Sequence, residues 1–219
     1  MPTRRSWMIW GVGTLAVAAI LVLASCYPGT IEDTEELDTV TTLFDPNENF
    51  TTNRTYALAD SIVHICQEIG GDLDCLPITR AYDDQILDKV EQEMNARGYT
   101  RVVDPDPDNP PDLLVLVSAI AVKNLALLGS YPCDYWGWYY PPYYCYYPPS
   151  WTAVEYSLGT LFMTMMSPDR LSGDKLPIVW TGVVNGVLSG STTDNLERVL
   201  SGIGQAFEQS SYLDVEVNP

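Results

Sequence analysis

Arg4 and Arg5 are followed by an apolar run from Trp7 to Leu23, and that run ends in Leu23-Ala24-Ser25-Cys26. This opening constrains everything downstream. It takes its own residues out of the fold and sets the compartment in which the rest must fold. Basic head, apolar stretch, small residues and then cysteine is the order of a bacterial lipoprotein signal. In that pathway residues 1–25 are removed, and Cys26 is acylated and becomes the first residue of the mature chain. The alternative is a short uncleaved anchor from Trp7 to Leu23. A plain anchor does not require small residues and a cysteine at its outer end, so we read residues 1–25 as a signal peptide and Cys26 as the site of lipidation.

Charge narrows the partners. The 219 residues carry 11 Lys and Arg against 29 Asp and Glu, a net charge of −18. Losing Arg4 and Arg5 with the signal leaves 9 bases against the same 29 acids, or −20. A domain this acidic repels nucleic acid and anionic headgroups. Its hold on a bilayer must come from the acyl chains, whose burial stabilises by about 0.8 kcal/mol per CH₂.

With Cys26 reserved for lipid, Cys66, Cys75, Cys133 and Cys145 remain. In an oxidising compartment two local pairs of this kind predict loop-closing disulfides, Cys66–Cys75 and Cys133–Cys145. A four-cysteine metal site is the rival. Such sites use close C-x₂₋₄-C steps, which neither pair shows, so we assign no metal and no cofactor.

Residues 26–39 are polar and acidic, with Glu32, Asp33, Glu35, Glu36 and Asp38, and cannot bury enough surface to offset chain entropy. They read as a flexible tether. Folding is expected to start at Val40, with strands Val40–Phe44 and Arg54–Ala59 around an Asp45-Pro46-Asn47 turn. Between Tyr82 and Arg97, Ile86, Leu87, Val90 and Met94 form one apolar stripe, and Gly98 supplies the stop. Leu113–Val122 is apolar almost throughout, as a central strand buried on both faces would be. Longer strands are expected at Ala153–Met166 and Ile178–Leu188, joined by a hairpin connection from Ser167 to Asp174. A last helix opens with Asp194 and Glu197 at capping-box spacing and buries Leu196, Val199, Leu200, Ile203 and Phe207. The order predicts an α+β fold. It would be a single two-layer sandwich, a mostly antiparallel sheet of about four to five strands with two helices packed on one face.

The outlier is Tyr131–Trp151, which holds eight tyrosines, three tryptophans and five prolines where a hairpin needs only a short turn. Loops of this length without secondary structure are usually functional or disordered. Proline stiffens the backbone, and rigid Tyr and Trp surfaces bind with little loss of side-chain entropy. Tyr135, Trp136, Trp138, Tyr139, Tyr140, Tyr143, Tyr144 and Trp151 are therefore the candidate binding residues. The competing reading is that these rings fold back over the open face of the sheet.

Other motifs carry less. Asp104, Asp106 and Asp108 open like a calcium loop, but Asn109 stands where the turn glycine belongs and no glutamate closes it. His64 is the only histidine, and nothing near it has the character of an activated nucleophile. No phosphate-binding glycine loop follows a strand, and Gly202 and Gly204 suit close helix packing better. Asn49-Phe50-Thr51 and Asn53-Arg54-Thr55 match glycosylation sequons, a pathway uncommon in bacteria.

Several motifs recur in a fixed order: Asn49-Phe50 leading to Thr55-Tyr56-Ala57, the helix ending at Gly98-Tyr99, and Pro111-Asp112-Leu113 entering a strand. The Tyr-rich insertion, Gly159-Thr160-Leu161 and Val179-Trp180-Thr181-Gly182 follow. In these features the domain resembles the bacterial lipoproteins grouped as domain of unknown function 4136. Thr181 departs from the basic residue often found there, and the cysteine pairs look like local elaborations. The resemblance implies an envelope lipoprotein whose α+β domain occupies residues 40–213, before a tail at 214–219. It supplies no catalytic residues.

These readings point to a non-enzymatic envelope lipoprotein, anchored in the outer membrane on its periplasmic or surface face. It would bind an envelope protein through the aromatic lobe 131–151. Two alternatives are a glycan or cell-wall binder that stacks sugars on Trp136, Trp138 and Trp151, and a carboxylate-dependent hydrolase using Asp112 and Glu155.

Overall fold

The computed structural model describes residues 39–65, 67–69, 72–74, 78–105, 108, 110–120, 125–126, 130–132, 144–146, 155–156, 159–185 and 192–215. The chain divides into two units, Met1–Glu36 and Leu37–Pro219, and all described residues belong to the second. Its strands are β1 (Thr39–Phe44), β2 (Thr55–Leu58), β3 (Val63–Ile65), β4 (Gln67–Ile69), β5 (Asp72–Asp74), β6 (Thr100–Arg101), β7 (Leu113–Ile120), β8 (Leu125–Ala126), β9 (Ser130–Pro132), β10 (Tyr144–Tyr146), β11 (Glu155–Tyr156), β12 (Leu161–Met166) and β13 (Lys175–Asn185). The helices are α1 (Asp83–Ala96) and α2 (Thr192–Glu208).

The fold is α+β, but the sheet departs from expectation. Seven strands run in the order β6-β2-β7-β12-β13-β10-β9; β1 pairs with β13 and β3 with β7, making nine among the described residues. It is mixed rather than mostly antiparallel. α1 lies between β3 and β7 in the chain, and a helical crossover returns the chain in the same direction, so β2 and β3 run parallel to β7. β6 is parallel to β2, and β10 is parallel to β13. β12 pairs antiparallel with both β7 and β13.

β7 is the two-sided central strand its composition predicts, buried at all eight positions. Leu113, Val115 and Val117 face the helices together with Leu161, Met163 and Met165 of β12. Leu114 and Leu116 lie on the opposite face with Met166 and Ile178, and Ile120, Phe162 and Val183 extend that layer. α1 buries Leu87, Val90 and Met94, and Ile86 is half-buried. α2 begins at Thr192, before the expected Asp194, and buries Val199, Ile203, Ala206 and Phe207.

The strand expected from Ala153 to Met166 is two, β11 and β12. Gly159 interrupts it with φ +84°, a left-handed conformation that an extended strand cannot carry. A register shift between Met165 and Met166 puts Val179 and Trp180 of β13 into the same cluster. Trp180 is fully buried 5.2 Å from Phe207, and its indole N–H donates to Ser210 Oγ at 3.0 Å. A buried indole requires such an acceptor.

Candidate functional site

The lobe that sequence singled out is rooted in the sheet. β8 pairs with β11 across its base, and β9 with β10, setting Tyr131 opposite Cys145 and Pro132 opposite Tyr144. β10 then docks on the first residues of β13, Tyr144 opposite Lys175 and Cys145 opposite Leu176. Tyr135, Trp136, Trp138, Tyr139, Tyr140, Tyr143 and Trp151 lie outside the described residues, as do Cys26, Cys66, Cys75 and Cys133. The Asp106 and Asn109 positions of the calcium-like run also lie outside them.

Asp112, a candidate acid, is occupied in holding the chain. Its Oδ2 accepts from the Arg54 and Thr55 amides at 2.7 and 2.8 Å and from the Thr55 hydroxyl at 2.9 Å. Glu155 is in β11, far in sequence from these partners. Its side chain lies outside the described residues. Asn53, the acceptor of one sequon, donates its carboxamide to Glu48 at 3.0 Å and is buried.

His64 sits on β3 opposite Ala119. Burial, reinforced by Arg80, pushes its pKa below the usual histidine value, and Asp83 pulls the other way. Arg80 is spoken for, bonding the Ile62 carbonyl at 2.8 Å and Asp83 at 3.2 Å. Burial in turn raises the Asp83 pKa despite Arg80 and His64. Among the described residues no three His, Cys, Asp or Glu side chains gather closely enough to hold a metal ion.

Beside it lies a feature that sequence reasoning missed, an apolar cavity of about 130 Å³ between the opening turns of α1 and α2. Ala119, Gly159 and Thr160 contribute small side chains or none, and Ile86, Leu196 and Val199 supply apolar walls. Ile86, Leu196 and Val199 were legible as helix-stripe residues. What no stripe reveals is that small residues from other elements would leave them a space to line.

The model of the domain of unknown function DUF4136 matches residues 40–210. The chain belongs to the DUF4136 family. A DUF4136 family protein from Bacteroides thetaiotaomicron VPI-5482 has a similar structure, with a TM-score of 0.58 and 28% identity, covering 80% of this chain and 97% of that one. A PelC dodecamer from Paraburkholderia phytofirmans is more distant, at TM-score 0.39 and 10% identity over 82% of this chain and 99% of its own. No curated protein matches the chain. In this DUF4136 member the resemblance motifs sit at structural joints. Thr55 meets Asp112, Trp180 meets Ser210, and Thr181 is buried on the face away from the helices with its hydroxyl unpartnered.

Proposed function

We propose that this DUF4136 member is tethered in the bacterial envelope by acylation of Cys26 and serves as a binding or assembly module rather than an enzyme. The observation that carries the reading is the order of Arg4-Arg5, the apolar run and Leu23-Ala24-Ser25-Cys26. The acidic run 26–39, which ends where the first described strand begins at Thr39, is read as the tether. The lobe 131–151 meets the partner, an envelope protein. Its support is its aromatic content together with the β9–β10 ladder within it and the pairing of β10 with the start of β13.

Two experiments separate the parts of this reading. Metabolic labelling with an alkyne palmitate analogue is expected to mark the native chain and not Cys26→Ser. An unlabelled native chain retained in the membrane would instead mean an uncleaved anchor. Crosslinked recovery from intact membranes, comparing the native chain with one whose residues 131–151 are replaced by a short glycine-containing turn, tests the lobe. A defined envelope protein recovered only with the lobe supports it; the same material from both chains rules the lobe out as the binding surface.

A further inference from the structure

The face of the sheet turned away from the helices is buried as deeply as the face they cover. Leu114, Leu116, Phe162, Met166, Ile178 and Val183 are at most 4% exposed, and Thr164 and Thr181 beside them only 3% and 2%. The apolar side chains clustered there come from the strands and their flanking residues, save Leu171 from the β12–β13 connection. Side chains stand perpendicular to a sheet, so strand residues cannot close over themselves; a second layer about 10 Å away has to do it. Neither helix supplies that layer, because both pack on the opposite face.

The path of the chain identifies it. Ala119 lies opposite Leu161 and Leu161 opposite Val184, which puts Ile120, the last residue of β7, at the height of Asn185 on β13. Ser130 lies opposite Tyr146 and Tyr146 opposite Pro177, near the other end of β13. Between those heights β13 climbs about 26 Å, and the four strand spacings from β7 to β9 add about 19 Å sideways. Ile120 and Ser130 are therefore roughly 30 Å apart along a diagonal of the sheet. The ten steps of chain between them reach at most about 33–36 Å. A connection so nearly taut has no length to pass round the helices or outside β1, so it crosses the face that the helices leave. The return from Tyr146 ends at Gly159, whose amide donates to the Ile120 carbonyl at 3.3 Å, and covers the same diagonal. The two legs pair antiparallel on the way, Ala126 opposite Glu155 and Leu125 opposite Tyr156. A two-stranded ladder is marginal in water unless it packs against another layer. The legs also carry the apolar residues a layer needs, Val122, Leu125, Leu127 and Leu128 on one and Trp151 and Val154 on the other. The β4–β5 hairpin offers only Ile69 and Leu73, and the tether Tyr27, Ile31 and Leu37.

We infer that residues 121–129 and 147–158 are the covering layer of this face, an antiparallel ribbon laid diagonally over β7, β12 and β13 with Leu127, Leu128 and Trp151 turned inward. The inference holds whether or not the lobe meets a partner, and it makes Trp151 a core residue, out of a partner's reach.

The test is methyl NMR on the full-length chain in neutral lipid nanodiscs, labelled at Ile, Leu and Met methyls, with a soluble gadolinium chelate as the probe of exposure. Met166 and Ile178 report on this face, and Met163 and Met165 on the helix face are the buried reference. Relaxation by the chelate at Met166 and Ile178 is expected to stay within twofold of that at Met163. Their methyls should show nuclear Overhauser contacts to Leu127, Leu128 or the Trp151 ring. Trp151→Ala should shift the Met166 and Ile178 resonances and leave Met163 and Met165 in place. Relaxation at Met166 and Ile178 at least fivefold above Met163 in the native chain would show the face open and overturn the layer. Contacts from a protected Met166 or Ile178 to the β4–β5 hairpin, the tether or a second, differently labelled copy instead of these legs would overturn the occupant. No partner is present in this experiment, so the layer and the partner-binding reading of the lobe fail separately.

Discussion

Thr55 and Asp112 are 57 residues apart and bind each other reciprocally: the Thr55 amide and hydroxyl donate to Asp112 Oδ2 at 2.8 and 2.9 Å, and the Asp112 amide donates to Thr55 Oγ1 at 3.0 Å. The pair joins the start of β2 to the entry of β7, its parallel neighbour. The connection from β6 to β7 must pass from one side of β2 to the other, and the carboxylate ends that passage by satisfying two backbone donors at the strand start.

Replacing Asp112 with alanine therefore leaves the Arg54 and Thr55 amides without their acceptor. We expect a loss of about 1–3 kcal/mol in urea unfolding. Asp112→Asn keeps one carbonyl oxygen facing the same donors and should lose less. Equal stability of the alanine variant and the native protein would show that water replaces the carboxylate at no cost.

Gly202 is held in α2 by proximity to β13. A Cβ at this position would lie 2.4 Å from Val184 Cγ1, inside any real contact distance. Alanine is the better helix former, so an alanine that destabilises must do so through packing. Gly202→Ala should cost about 1–3 kcal/mol by overpacking. Val184→Ala on the same chain opens the space and should recover part of that loss, a coupling read from a double-mutant cycle.

Asp45 supplies an acid-sensitive joint. Burial opposes its charge, but the Asn47 amide and side chain and the Arg170 guanidinium outweigh burial and hold its pKa below the usual value. Arg170 reaches Asp45 at 2.8 Å and Glu48 at 3.0 Å from the connection between β12 and β13. A lowered carboxyl pKa contributes stability that is fully present above the unfolded value of about 4 and is lost as pH falls through the folded value. Arg170→Met should remove about 1 kcal/mol at neutral pH, because Arg170 is itself partly exposed. It should also move the midpoint of acid unfolding to higher pH. An unchanged acid midpoint would mean that the Asn47 contacts alone keep Asp45 charged.

β4 and β5 pair Gln67 with Asp74, and Cys66 and Cys75 are the next residues outward along the chain. A hairpin between two cysteines favours their oxidation to each other over any longer-range pairing. Mass spectrometry after alkylation is expected to find Cys66, Cys75, Cys133 and Cys145 protected until reductant is added. Reduction of each loop should remove about 2–3 kcal/mol. Ready alkylation of the untreated folded protein would exclude the disulfides.

Both helices and the central strand were legible along the chain because each has a local signature. Leu87, Val90 and Met94 recur at helical spacing, and Leu113–Ile120 has no polar face to give to solvent. Sheet order has no such signature. β1 finds its partner at the other end of the chain, Thr39 opposite Asn185 and Phe44 opposite Trp180. The break at Gly159 turns on one backbone angle inside an otherwise strand-like run.

The sequence by itself determined the acidity, the two amphipathic helices, the buried strand and the aromatic insertion, since each is a property of neighbouring residues and their spacing. Only the tertiary structure decided that the sheet is mixed, that Asp112 is a joint, and that Ala119, Gly159 and two helix starts enclose a cavity. Those features depend on which distant segments meet, and long-range pairing is settled by the packing of the whole core rather than by local propensity.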